Sequence, residues 1–488
     1  MEEYRPDPLR WRALWVTLAA GFMGLLDVSI VAVALPSIER SLGVSASGVQ
    51  WVVSGYTLAF GLALVPAGRL GDALGRRRMF MISLVGFVLT SALCGAAPSL
   101  LLLIVARLVQ GFTAGMLGPQ NSGIIQDLFR GAERGRAFGM YGASVGLSTA
   151  VGPIVGGVIL AVFGDPDGWR WIFYVNVPIG LVALALAPRL LPARSAAQDA
   201  DRTPIRRRLD LIGTALLGTA VLAIMLPLLE YNRFRDLWWL IAVGAVLLVG
   251  FARWEVRVAR IGHRPPLLDP RLLSGTRGYA SGSALGLAYF VGFSGIFLVL
   301  ALYFQLALGY TPLNSGLAVT SFAVGSAVSA FAGGAIVARW GRRLTVCGLC
   351  CVVVGLVGTA FVLRDHAGAA AGLLAAAPLL LAGIGSGLVI SPNLTLTLGD
   401  VPVRMAGAAG GALQTGQRVG SSVGTALLAG VYYTVLGVPG RTAGSAIFVA
   451  LLCAVGFVLI ALVLAVVELV RIGDRRMIRR PVPEAAGE

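Results

Sequence analysis

The chain contains no lysine: all 39 of its basic residues are arginine. That absence rules out a GxxxxGK[ST] phosphate loop and a lysine Schiff base to retinal or pyridoxal phosphate, so this chain is not expected to carry an ATPase of its own. Charge of either sign is scarce, at 13%, against 57% hydrophobic residues and a mean hydropathy of +0.84. A water-soluble globule of 488 residues could not hide so much apolar surface. Histidine occurs twice, His263 and His366, both in loops. The five cysteines (Cys94, Cys347, Cys350, Cys351 and Cys453) fall in apolar runs without a polar ligand set. They are expected to pack rather than to bind metal or form disulfides. No His/acid cluster and no nucleophile–base constellation points to an enzyme, and neither metal nor cofactor is expected.

What the chain has is apolar runs, and a helix needs about 20 apolar residues to cross the hydrocarbon core. Fourteen runs are read, at 12–36, 50–70, 79–97, 99–121, 137–163, 171–192, 210–230, 236–256, 279–306, 314–338, 344–363, 370–392, 405–436 and 443–470. The fold class is therefore an all-α polytopic membrane protein with about 14 transmembrane helices. The first run is too long for a cleavable signal peptide and is expected to remain. Thirty-one of the 39 arginines fall in loops and tails on one side of this topology, six lie on the other side, and Arg107 and Arg418 lie within spans. By the positive-inside rule both termini are cytoplasmic. The net charge of +16 is then a topology signal and not a nucleic-acid footprint, because the arginines are spread over many short loops.

The loop between the second and third runs reads G-R-L-G-D-A-L-G-R-R-R from Gly68 to Arg78. A degraded copy, G-A-I-V-A-R-W-G-R-R, runs from Gly334 to Arg343, 266 residues later. That offset exceeds six helices, which implies extra spans between two related halves. The expected domains are residues 1–192, a six-helix bundle; 193–260, a linker and a two-helix insert; and 261–488, a second six-helix bundle with a tail. The segments Pro192–Arg208 and Arg260–Gly278 read as linkers.

An ion in hydrocarbon is costly and usually faces a partner or a wet cavity. Asp27 is the only acid read as deep in a span, nine residues before Pro36, or about 13 Å from the helix end at 1.5 Å per residue. Arg107 lies about 12 Å into the fourth span by the same rise and can share its level. A nearby arginine favours the ionised carboxyl and burial favours the neutral acid, so the pair can serve proton loading; a static ion pair is the alternative. Mid-span in the thirteenth run, Gln414, Gln417 and Arg418 could line a cavity or bond between helices. In the fifth, Gly152, Pro153, Gly156 and Gly157 permit close helix approach and remove one backbone donor, features of a hinge or a seal.

These stretches carry a resemblance. The Gly68–Arg78 loop resembles the signature loop of the major facilitator superfamily. Asp27 with the following A-L-P, R-L-V-Q-G from Arg107 to Gly111, and G-P-I-V-G-G from Gly152 to Gly157 resemble motifs of its drug:proton antiporters. W-R-W-I-F-Y-V-N-V-P-I-G from Trp169 to Gly180 resembles the fourteen-span branch, although an interfacial aromatic belt would explain the tryptophans equally. The likeness fails where Ala338 replaces the acid of the second loop copy. The resemblance implies two bundles with a substrate site between them near the midplane. It implies proton coupling through Asp27 and Arg107, and gating through Gly68, Arg69, Asp72, Gly75 and Arg76, with Asp72 held by arginine and by a helix N-terminus of the other half. The implied function is a monomeric, proton-coupled exporter of amphipathic or cationic drug-like compounds or antibiotics in a bacterial inner membrane. Its partners are a small substrate, protons and lipid. A lipid or nutrient facilitator or flippase, and a receptor or scaffold without transport, are the alternatives.

Overall fold

The structure, a computed structural model, describes residues 7–164, 166–192, 210–229, 234–261, 265–366 and 368–472. His263 and most of the first linker (193–208) lie outside them. Among the described residues fourteen long helices form: α1 (Arg10–Leu42), α2 (Ala46–Leu74), α3 (Arg76–Gly95), α4 (Leu100–Leu128), α5 (Gly131–Phe163), α6 (Trp169–Leu190), α7 (Leu211–Leu229), α8 (Trp239–Ile261), α9 (Tyr279–Leu302), α10 (Pro312–Trp340), α11 (Arg342–Asp365), α12 (Ala371–Gly399), α13 (Ala406–Leu436) and α14 (Ala443–Ile472). Among the described residues thirteen of these are long and apolar enough to cross a membrane. The remaining one, α5, is 33 residues long. It packs along α1 and along α10 and α12, completing the count read from the sequence.

The helices outrun their apolar runs at the ends, where polar residues close each turn. Ser45, Ser99 and Thr311 cap α2, α4 and α10 by accepting a backbone N–H three residues on. Gly43 ends α1 in the left-handed conformation, at φ 62°. α6 is interrupted at Val175, between Trp169–Tyr174 and Asn176–Leu190.

Helices α1–α6 pack mainly with one another, as do α9–α14. The two groups meet along two long seams, α2 with α13 and α5 with α10. The α7–α8 hairpin lies over the first seam: Val221 and Met225 of α7 pack on Leu58 and Leu62 of α2 and on Val419 of α13. The described part of the Arg260–Gly278 linker, from residue 265 on, is packed. Leu267 packs with Val65 and Phe251, and Leu272 is fully buried in the core of the first group.

The second group is bolted by an ion pair around a second buried acid, Glu468, which corrects the expectation that Asp27 is the only acid deep in a span. Glu468 of α14 is 3% exposed and receives Arg342 of α11 at 2.9 Å, while Arg342 also donates to Asn393 of α12 at 2.7 Å and Ser281 of α9 donates to Glu468 at 2.6 Å. Arg342 stands 266 residues after Arg76, and Asn393 stands 266 after Asp127, the partner of Arg76. The charge missing at Ala338 is thus replaced from α14. Removing one member of a buried pair costs about 3–5 kcal/mol, far more than replacing both by apolar groups. Glu468→Ala is expected to lower the melting temperature in detergent sharply, and the double variant Arg342→Met/Glu468→Leu to recover most of the loss. Thermal unfolding followed by intrinsic fluorescence checks this.

Candidate functional site: a buried ion pair, a central cavity and a charged seal

Asp27 and Arg107 are both fully buried and form a direct ion pair through Oδ2 and Nη1. The other carboxylate oxygen of Asp27 accepts from Gln110 Nε2 at 3.2 Å and from Asn176 Nδ2 at 3.0 Å. Gln110 sits one helical turn after Arg107 on α4, receives Arg107 Nη1 at 2.8 Å on its own oxygen and donates to Ser91 at 2.6 Å. Arg107 Nε reaches the Val52 carbonyl at 2.8 Å, where the α2 backbone supplies an acceptor. Its guanidinium carbon lies 4.1 Å from the centre of the Tyr56 ring, and the Tyr56 hydroxyl donates to the Gly24 carbonyl at 2.7 Å. Five helices, α1, α2, α3, α4 and α6, therefore meet on one pair of charges.

Three of these partners were missed from the sequence. Gln110 lay within the quoted R-L-V-Q-G and Asn176 within the quoted aromatic motif, both polar in apolar runs, which is a legible signal. Tyr56 gave no such signal. The same motif divides its tryptophans: Trp171 is exposed, as an interfacial residue would be, whereas Trp169 is fully buried. Arg170 stacks on Trp169 at 4.4 Å and donates to the Gly95 and Ala97 carbonyls at 3.0 and 2.6 Å, tying the end of α3.

A cavity of about 300 Å³ lies between the two groups of helices. Gln414, Gln417 and Arg418 all reach its wall from α13, opposite Gly24 of α1 and Tyr141 of α5, with Phe293 of α9 alongside. Gln414 donates to Ser122 of α4 at 3.1 Å, so it also links the halves.

At the arginine-rich end the halves are closed. Asp72 accepts from the backbone N–H groups of Gly407 and Ala408 at 3.0 and 2.9 Å, capping α13 from across the seam, where an anion meets the positive end of the helix. Arg76 bridges Asp72 at 3.0 Å and Asp127 at 2.6 Å and donates to the Val403 carbonyl of the other half. A Cβ on Gly68 would run into the Gly407 carbonyl, and Gly75, at φ 98°, turns the chain from α2 into α3. Arg69 has its Nε buried without a hydrogen bond, within reach of the charges of Asp72, Glu255 and Asp269. The second seam closes on glycine too: a Cβ on Gly139 would lie 2.8 Å from the Gly334 Cα.

The fifth-helix motif behaves unevenly. Gly152 and Gly156 face α1, where side chains would strike Ser29 and Ile30, whereas Gly157 has nothing within 4 Å. The Pro153 side chain lies outside the described residues. α5 runs unbroken through the motif.

Two helix bundles around a cavity, joined at one end by a carboxylate on a helix terminus of the other half, have the layout of an alternating-access carrier. The chain belongs to the Major Facilitator Superfamily, which it matches over residues 17–425 and 282–485. It is 36% identical over 436 residues to the probable actinorhodin transporter of Streptomyces coelicolor, covering 88% of this chain and 74% of that one. It is 37% identical to the puromycin resistance protein pur8 of Streptomyces alboniger, covering 87% and 82% of the two chains. To the tetracenomycin C resistance and export protein of Streptomyces glaucescens it is 30% identical, covering 85% and 75%. Its fold is similar to that of the human organic anion transporter MFSD10, with a TM-score of 0.67 at 16% identity over 94% of this chain and 100% of that one.

The Asp72 cap carries its own prediction. A carboxylate at a helix N-terminus contributes about 0.3–1 kcal/mol, up to about 2 when partly buried. Asp72→Asn is expected to raise the labelling rate of a cysteine introduced at Ala408 several-fold in a background freed of native cysteines. Unchanged labelling would remove Asp72 from the seal.

Proposed function

We propose that the protein is a proton-coupled exporter of amphipathic drug-like compounds, antibiotics among them, acting as a monomer in a bacterial inner membrane with both termini in the cytoplasm. The relatives above are named for antibiotic transport, resistance and export, which supports this substrate class. The arginine bias of the loops supports the orientation, and makes the closed Asp72 end the cytoplasmic one.

The observation that carries proton coupling is the closed hydrogen-bond set around Asp27. Arg107 pairs with one oxygen of Asp27, and Gln110 and Asn176 donate to the other, so every partner of this carboxyl is a donor. A proton arriving on Asp27 cancels the charge that Arg107 faces, and an unpaired buried guanidinium costs about 3–5 kcal/mol. The protonated protein therefore has to rearrange, and the pair ties together the helices that would move. In the proposed cycle substrate enters from the cytoplasm or inner leaflet, and the halves rock outward as Asp72 caps α13. Protonation of Asp27 promotes release and return, and deprotonation toward the cytoplasm resets the pair. The gradient suffices as a drive, since one charge crossing 100 mV is worth about 2.3 kcal/mol. Gly152 and Gly156 let α5 slide on α1 in this motion.

Proteoliposomes carrying a pH-sensitive dye test the reading, with a panel of amphipathic antibiotics and dyes of both charge signs. Substrate addition is expected to move protons in the parent. Asp27→Asn is expected to abolish that movement while leaving downhill substrate exchange. Full coupling in the variant would place the proton site elsewhere.

A further inference from the structure

The central cavity contains an arginine without an acid. Among the described residues lining it none is acidic, and its one charged side chain is Arg418. Among the described residues the Arg418 guanidinium has no hydrogen-bond or ion-pair partner; it rests over the Phe60 ring, 4.4 Å from its centre. Gln417, one residue before it, also lines the cavity and is likewise without a hydrogen bond among the described residues. The acid nearest in sequence to the lining, Asp27, offers a cavity cation nothing. It lies one turn beyond Gly24, and both its oxygens are taken by Arg107, Gln110 and Asn176.

Part of the wall is a run of aromatic rings from α9. Phe290, Phe293 and Phe297 descend α9 as neighbouring rings, with centres 5.6 and 5.5 Å apart, and Phe297 stands edge-on to Phe322 at 5.2 Å. Phe293 and Phe297 also wall a smaller adjoining cavity of about 60 Å³, so the aromatic surface continues past the main chamber. Flat apolar rings pack well on such a surface.

We propose that the substrate of this cavity is a planar aromatic anion, a carboxylate or an acidic phenolate, with its oxygens on Arg418 and Gln417 and its rings on the α9 phenylalanines. The proposal rests on the exporter reading and narrows it to one charge sign. A guanidinium with free N–H groups in a mostly apolar chamber repels a cation and holds a carboxylate through two parallel hydrogen bonds. An energetic consequence follows for coupling. If one proton enters for each monoanion leaving, two positive charges move inward per cycle, so export is driven by an inside-negative potential as well as by the pH gradient. Export of a monocation at the same stoichiometry would move none.

The test measures binding to the full-length protein in nanodiscs, using fluorescence of three probes with one ring system: anthracene carboxylate, its carboxamide and the aminomethyl analogue. The parent is expected to bind the carboxylate at least tenfold more tightly than the aminomethyl cation. Arg418→Gln is expected to erase that preference while changing carboxamide binding less than threefold, which also reports that the chamber is intact. Arg418→Lys is expected to keep the sign of the preference and Arg418→Glu to reverse it. Equal or tighter binding of the cation by the parent, a preference that survives Arg418→Gln, or no binding of any probe would overturn the proposal. Proton flux in proteoliposomes separates this from the exporter reading. Flux with cationic substrates alone would sink the anion site and leave antiport standing. Selective anion binding without any substrate-driven flux would keep the site and sink the antiporter.

Discussion

Neither Asp27 nor Arg107 can be left alone where it lies. Both are completely buried, and an isolated charge in such surroundings loses several kcal/mol of hydration that only its partner and a full set of hydrogen bonds can offset. The protein meets that constraint by bringing five helices to one point. Gln110 and Asn176 take the second carboxylate oxygen, the Val52 carbonyl takes Arg107 Nε, and Tyr56 receives the face of the guanidinium. A change of charge at this point is felt by all of them together. One of these helices, α2, also reaches the cavity and a seam, since it carries Tyr56, Phe60 and Asp72 along one rod.

That rod explains how three distant features form one device. Tyr56 touches the ion pair, Phe60 lies under Arg418 in the cavity wall, and Gly68 and Asp72 close on the start of α13. α13 answers with Gly407 at the seal and Gln414 and Arg418 at the cavity. A rigid shift of α2 against α13 therefore changes seal and chamber at once, and the ion pair anchors α2 to the rest of its bundle. The α7–α8 hairpin covers this seam on its outer side, which gives the insert a physical place: it screens the α2–α13 contact from lipid.

Much of this was legible in the sequence, and what was not has a physical cause. Helix number followed from apolar length, because backbone in lipid has to be hydrogen-bonded internally, whereas several helix ends run on into polar residues that apolar length does not mark. Counting rise per residue put Asp27 and Arg107 at one depth, and the two meet directly. Depth carries no azimuth, so the same arithmetic could not say that Asn176 points at Asp27 or that Gln414 bonds Ser122 while Arg418 stays open to the cavity. The Gly139–Gly334 contact needs knowledge of which helices are neighbours across the halves. The absence of an acid at Ala338 was visible, but its replacement by Glu468, 130 residues later, arises only when α14 folds back onto α11.

The central claim is that the charge on Asp27 sets which end of the protein is closed. Distances between spin labels at the arginine-rich ends of α2 and α13, measured by pulsed electron resonance in nanodiscs across a pH series, test it most directly. The account predicts a short distance at high pH that gives way to a longer one as pH falls, and an Asp27→Asn protein fixed in the low-pH distribution at every pH. A pH response that persists unchanged in Asp27→Asn would contradict it.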